Sequence, residues 1–192
     1  MRESETYRVA IRGTRPLLQH RYPVKLGGEP KKSKTVVPTP QVEAEQSLFR
    51  DEKVGIYEPS DHVEGLLVAA SKDHLVEGRG KKTYKGFVRS GLRVEPDMIP
   101  LLNGEGKPAK TYDIDVRRAV VMGRGITRAR PKFSEWRLEF TIQNLDPANM
   151  SAPQVREFLE NGGFSKGLGD YRPKFGTFEV ESFEVEKPKK SR

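Results

Sequence analysis

Cysteine is absent from the 192 residues, and histidine occurs only at His20, His62 and His74. The first absence excludes disulfides and thiolate metal sites, and three scattered imidazoles do not make a zinc site. No apolar run approaches the ~18 residues of a transmembrane helix. The start Met1-Arg2-Glu3-Ser4-Glu5 lacks the apolar core of a signal peptide. There is no Walker loop, no Gly-x-Ser-x-Gly and no internal repeat. Asp113 and Asp115 are a conceivable two-carboxylate metal site, but nothing beside them supports one. These absences lead us to expect a soluble cytoplasmic protein with no cofactor, no metal and no membrane partner.

Apolar residues make up 34% of the chain and mean hydropathy is −0.71, yet nine Phe, six Tyr and one Trp suffice for a core. The net charge of +8 is unevenly spread. Residues 1–40 carry nine Lys/Arg against three acids, residues 77–93 six against one, and residues 116–137 seven against one. Residues 41–76 invert the balance with three basic and eight acidic residues. Segregation on this scale points to a polyanion partner, of which nucleic acid is the commonest in a cell.

Tyr7, Val9 and Ile11 alternate with Arg8, Ala10 and Arg12, which predicts a strand over 6–13. Residues 14–40 hold five prolines and the Gly27-Gly28 pair and are expected to form a loop bearing Arg15, His20, Arg21, Lys25, Lys31, Lys32 and Lys34. A short helix over 41–51 and a short strand over 54–57 follow. Pro59-Ser60-Asp61 then starts a helix over 63–75 with Val63, Leu66, Leu67 and Ala70 on one face. His62 reads as a surface or capping histidine, and His74 as capping the end of that helix. Gly78-Arg79-Gly80-Lys81-Lys82 breaks the helix, 84–94 shows no clear period, and 95–110 is irregular.

Strands are predicted at 114–122 and 133–142, joined by a basic loop that contains Arg124, Arg128, Arg130 and Lys132 and reads as a protruding finger. Ser151 caps a helix over 152–160 that Gly162 and Gly163 end. Next comes the most distinctive stretch, 162–176, with five glycines, Lys166, Arg172, Lys174 and Tyr171. Glycine removes the Cβ that keeps backbone and ligand apart. Such a loop is expected to aim amides and cations at phosphate while Tyr171 offers a base a stacking face. A strand over 175–185 and a disordered basic tail, 187–192, close the chain.

Leaving out 41–57, the order β, α, β, β, α, β predicts an α+β, ferredoxin-like (RRM-type) fold: a four-stranded antiparallel sheet with two helices on one face and long basic loop insertions. The expected organisation is a single domain over 1–186 with insertions at 14–58 and 77–110.

Two local sequences resemble the RAMP superfamily of CRISPR-associated proteins, ferredoxin-like RNA binders that form backbone subunits. Tyr57-Glu58-Pro59-Ser60-Asp61-His62-Val63-Glu64-Gly65 is similar to the family's Pro-Ser-Ser pattern at its first helix, with Asp61 where Ser is frequent. Gly167-Leu168-Gly169-Asp170-Tyr171-Arg172-Pro173-Lys174-Phe175-Gly176 resembles its glycine-rich loop, and Thr14-Arg15-Pro16-Leu17-Leu18 is a weaker match. The layout is also similar to phage and prophage proteins, so a virus-encoded origin in a prokaryotic cell is part of the expectation.

The function expected is non-catalytic binding of single-stranded DNA or RNA with weak sequence preference, through the glycine loop, the finger and the open sheet face. Self-association along the strand is a further partner to test. The residues expected to bind are Arg12, Arg15, Arg21, Arg79, Lys81, Lys82, Lys85, Arg117, Arg124, Arg128, Arg130, Lys132, Lys166, Gly167, Gly169, Tyr171, Arg172 and Lys174. Two alternatives stand beside this. The resemblance implies that a relative could be a metal-independent endoribonuclease, for which His20 in its basic loop is the candidate. The other alternative is a structural subunit of a nucleoprotein assembly.

Overall fold

Alternating apolar residues build the central layer of the computed structural model, which describes residues 4–22, 38–121 and 124–186. Strand β1 (Glu5–Gly13) turns Tyr7, Val9 and Ile11 inward and is flanked on both sides. Its neighbours are β9 (Arg137–Asn144) and β10 (Phe178–Val185), and β5 (Leu92–Glu95) lies beyond β9. All three pairings are antiparallel, and the order is β10-β1-β9-β5. Helices α2 (Ser60–Ala70) and α4 (Ala152–Ser165) contribute Val63, Leu66, Leu67, Val155, Phe158 and Leu159 to the core against this sheet. The molecule is thus a mixed α and β protein with antiparallel sheets, and its four-stranded sheet is consistent with a ferredoxin-like arrangement.

Two smaller sheets flank it. The first has the order β2-β8-β7, from β2 (Leu17–Leu18), β7 (Asp113–Val121) and β8 (Arg124–Phe133). The second has the order β3-β4-β6, from β3 (Arg50–Asp51), β4 (Gly55–Pro59) and β6 (Met98–Pro100). Helices α1 (Pro40–Gln46) and α3 (Lys85–Gly91) and a single 3-10 turn (Ser71–Asp73) complete the description.

The strand expected over 114–122 exists as β7, but it does not enter the central sheet. That place belongs to Leu92–Glu95, where Leu92 and Val94 point inward between exposed Arg93 and Glu95. Of the basic loop expected over 123–132, residues 124–132 instead belong to strand β8, and Gly123 lies outside the described residues. That strand pairs with β7 from Val121↔Arg124 to Asp113↔Lys132, so the finger is a long hairpin. The expected strand over 133–142 is split, because Ser134 to Trp136 turn the chain from one sheet into another.

Helix α4 also runs past its expected end, through Gly162 and Gly163 to Ser165. A Cβ at Gly162 would lie 2.4 Å from a Leu66 methyl, and one at Gly163 would lie 2.6 Å from the Phe178 carbonyl oxygen. These glycines let α4 press onto α2 and β10 rather than stopping the helix. The tail 187–192 and the basic residues Lys25, Lys31, Lys32 and Lys34 lie outside the described residues.

Candidate nucleic-acid interface

Four pieces of chain meet where β1 ends: the segment Thr14–Tyr22, the start of α2, the glycine loop and the base of the β7–β8 hairpin. Trp136, 1% exposed, fixes the first piece by donating its indole N–H to the Arg15 carbonyl at 2.9 Å. The Gln19 amide donates to the Pro131 carbonyl at 3.2 Å, and the Thr14 amide to the Thr177 carbonyl at 2.8 Å. The glycine loop closes on the same segment, with the Asp170 amide on the Leu18 carbonyl at 2.7 Å and the Gly176 amide on the Pro16 carbonyl at 2.8 Å.

This closure changes the meaning of the loop's glycines. The amides of Gly167, Leu168, Asp170, Tyr171, Phe175 and Gly176 all donate within the protein. The Gly167 amide is thus engaged within the protein, on the Gly162 carbonyl at 2.9 Å. At Gly169, φ is +71° and a Cβ would lie 2.3 Å from the Leu18 oxygen, so glycine permits close packing of loop on loop. The result is a firm platform. Tyr171 stands on it at φ 57°, a left-handed conformation rarely held by a residue with a side chain. The Arg117 guanidinium lies 4.6 Å from the Phe175 ring centroid and 5.7 Å from that of Tyr171, which joins the hairpin to the loop.

At the centre sits Asp170. Arg130, 6% exposed, brings Nε to 2.5 Å from Asp170 Oδ2, and His20 Nδ1 stands 3.3 Å from the same oxygen. The Arg130 contact is close enough for an ion pair, but its N–H is not aligned with it, and Arg130 Nη1 has no hydrogen-bond partner. His20 facing the carboxyl holds Asp170 at about 2, well below its ordinary range, with help from the Tyr171 amide and the Arg130 charge and against the opposing effect of burial.

A second, buried network adjoins it. Glu58 is fully buried, and its Oε1 lies 2.6 Å from His62 Nδ1 while its Oε2 accepts from Gln19 Nε2 at 2.9 Å. Gln19 also accepts from the Phe49 amide at 3.1 Å. Burial works against the imidazolium of His62, but the Glu58 carboxylate outweighs it and raises the pKa. His62 is thus a half-buried partner of a core carboxylate, not a helix cap. His74 caps the 3-10 turn that follows α2, its backbone N–H donating to the Ser71 carbonyl, while its ring packs edge-on against Phe158 with centroids 4.9 Å apart and meets Asn161 at 3.0 Å.

The cations named from the sequence, Arg124 apart, divide into three groups. Arg12 pairs with Glu181 at 2.8 Å, Lys166 with Asp73 at 2.8 Å, Arg117 with Asp115 at 2.5 Å and Arg128 with Glu43 at 2.9 Å. Lys132 faces Asp113 at 3.7 Å, and Arg130 belongs to Asp170. By contrast Arg15, Arg21, Arg172 and Lys174 are exposed and have no ion pair among the described residues. Arg15 Nη1 reaches the Lys174 carbonyl at 3.4 Å, which brings two of them together. Arg79, Lys81, Lys82 and Lys85 form a separate group beyond the end of α2, where Arg79 and Lys82 lie over the Phe87 ring. The Arg124 side chain lies outside the described residues.

Two residues of this surface escaped the sequence reading as binders. Tyr22 is 81% exposed, its ring 6.5 Å from that of His20, and Arg118 stands exposed on β7. The signal for Tyr22 was its place in a basic segment beside His20.

The open face of the four-stranded sheet departs from expectation more sharply. Three of its arginines are paired, with Arg8 on Glu186 at 2.5 Å and both Arg12 and Arg137 on Glu181, while Arg93 stands exposed on β5 with no ion pair among the described residues. No aromatic side chain stands among the exposed positions of that face, which alternate with the inward Tyr7, Val9, Ile11, Leu138, Phe140 and Ile142. Among the described residues there is also no group of three or more metal-ligating side chains, and no helix long and apolar enough to cross a membrane.

No family model matches the sequence, and no curated protein matches it. In fold the chain is similar to a chain of the Type III-B Cmr-beta bound to cognate target RNA, solved by cryo-EM, at TM-score 0.51 and 12% identity. The match covers 96% of this chain and 61% of the other, so the present sequence spans less than two thirds of that neighbour. The two share a fold.

Proposed function

We propose that this chain is a non-catalytic, RAMP-like protein of ferredoxin-like fold that binds single-stranded RNA at the junction of the glycine loop, the segment after β1 and the hairpin. The observation that carries this is the convergence of four uncompensated cations, Arg15, Arg21, Arg172 and Lys174, with the exposed faces of Tyr22 and Tyr171. Cations track phosphates and rings receive bases, the combination that single strands require. RNA is placed ahead of DNA because the structural neighbour is bound to target RNA. Sequence preference is weak, because the exposed groups are charges and ring faces rather than hydrogen-bond readers.

Fluorescence anisotropy with a labelled 20-nucleotide RNA, the same sequence as DNA, and its duplex, each at two salt concentrations, tests the reading. Tightest binding to single-stranded RNA with strong salt dependence is expected. Preference for duplex, or no binding at low salt, would overturn it.

One observation favours a nuclease as the second reading. His20 and His62 both turn Nδ1 toward a carboxylate, the orientation that leaves Nε2 for proton transfer. Cleavage of RNA in EDTA that disappears in His20→Ala would replace the first reading with this one.

A further inference from the structure

The open face of the central sheet is acidic in a chain whose net charge is +8. Its floor is made of small side chains. Ala10 pairs across to Glu139 on one side and Ser182 on the other, and Arg8 pairs across to Thr141 and Glu184 in the next row. Thr141 in turn faces Glu95, so Glu95, Thr141, Arg8 and Glu184 cross the four strands in line. Pro96 and Asp97 raise the rim beyond β5, and together these residues bound a concavity of about 940 Å³.

The unpaired charge of its lining is one-sided, since the unpaired Arg93 of the same face lies outside that lining. Glu95, Asp97, Glu139 and Glu184 are exposed and have no cation within ion-pair reach among the described residues, whereas Arg8 and Arg137 are each paired to a glutamate of β10 or just beyond it. Phosphate is repelled here, and the one ring of the lining, Phe140, turns into the core and cannot stack a base. Among the described residues no three of the carboxylates cluster as metal ligands would. Three interstrand steps of about 4.8 Å give the groove a width of about 14 Å, which admits a single polypeptide segment in extended or helical form.

We propose that this groove is a protein-docking surface whose occupant is an arginine- or lysine-rich segment of a partner protein, seated over Ala10, Thr141 and Ser182 with its cations on the four carboxylates. The inference is independent of RNA binding at the loop–hairpin junction. It assigns the two faces opposite partners: polyanion at the junction, polycation on the sheet. With no aromatic anchor in the groove, affinity is set by charge and is expected to be on the order of micromolar.

The probe is a capped decapeptide of alternating Arg and Ser, titrated into the full chain by calorimetry and by ¹H–¹⁵N NMR. Support is a set of shifts confined to Arg8, Ala10, Glu139, Thr141 and Ser182. Support also requires at least tenfold weaker binding in Glu95→Gln/Glu139→Gln/Glu184→Gln, with RNA affinity retained. Retained RNA binding shows that this variant is folded, and the milder Asp97→Asn, which weakens the peptide less, gives a second reading. A control with the same charge removed elsewhere, Glu52→Gln/Glu77→Gln/Glu135→Gln, must leave peptide binding intact, and equal loss there overturns the site. Shifts at the groove caused by a single-stranded RNA 12-mer instead of the peptide overturn it in favour of RNA. Self-association of the wild type that the triple groove variant abolishes overturns the partner in favour of a second copy.

Discussion

The carbonyl oxygen of Leu18 lies 2.3 Å from where a Cβ at Gly169 would stand, and the next amide along, that of Asp170, donates to the same oxygen at 2.7 Å. One carbonyl therefore sets both the close approach and the hydrogen bond that dock the glycine loop on the segment after β1. Gly169→Ala must push the loop off Leu18 or twist its backbone out of φ +71°. A cost of about 2 kcal/mol in stability is expected from the strained conformation and the lost contact, read by denaturant unfolding. RNA affinity should fall together with it. Unchanged stability would show that the loop is not held by this contact.

Tyr171 is the exposed ring of that platform. Tyr171→Ala should weaken single-stranded RNA by about 1–3 kcal/mol, the worth of one stacked base, while Tyr171→Phe and Tyr171→Trp should keep most of the affinity. Stability should change little or improve in Tyr171→Gly, since glycine holds φ 57° without strain. Equal binding by Tyr171→Ala and wild type removes the ring from the interface.

Salt dependence separates the first two groups of cations. Arg15→Gln, Arg21→Gln, Arg172→Gln and Lys174→Gln should each lower the slope of log affinity against log salt by about 0.7, the value for one phosphate on a single strand. Arg12→Gln and Lys166→Gln should leave the slope as it is, because Glu181 and Asp73 already neutralise these charges. A slope that falls equally in both groups would mean that the ion pairs open on binding.

The sequence revealed the elements whose periods are long. Alternation over 6–13 and the 3.6-residue spacing from Val63 to Ala70 correspond to β1 and α2, and Ser151 does start α4, with Gln154 completing a capping box. It concealed the fourth core strand, because Leu92–Glu95 holds only two apolar residues, too few for a period, and follows directly on the seven residues of α3. Pro131 within β8 disguised a strand as a loop. The charged stretches were legible as charge and not as free charge, since partners such as Glu43, Asp73 and Glu181 come from distant parts of the chain. For the same reason His62 read as a surface or capping residue: Glu58 lies one turn before it, but only the folded packing of Gln19 and Phe49 shows that carboxylate to be buried.

Asp170 predicts an acid limb. Its folded pKa, about 2, lies below the ordinary carboxyl value, so its contribution is present above pH ~4 and is lost as pH falls through the folded value. Asp170→Asn should remove that part of the acid transition. It should also destabilise the protein at neutral pH by about 3 kcal/mol, because the buried Arg130 guanidinium loses its counter-charge. An acid unfolding curve identical to wild type between pH 4 and 2 would contradict the assignment.

His62 runs in the opposite direction. Its folded pKa is raised, so the stabilising His62–Glu58 pair is fully present below the ordinary histidine value of about 6.5 and is lost as pH rises through the folded value. NMR titration of the His62 ring should give a midpoint above 6.5 in the wild type. In Glu58→Gln burial and the nearby Arg172 charge, both of which disfavour the imidazolium, are opposed only by the smaller effect of Asp61. The midpoint should then drop below 6.5, and the stability lost between pH 6 and 8 in the wild type should be lost no longer. Because Arg172 belongs to the proposed RNA surface, the same titration repeated with bound RNA should move the His62 midpoint further up as phosphate screens that cation. A midpoint unmoved by RNA would place Arg172 outside the contact.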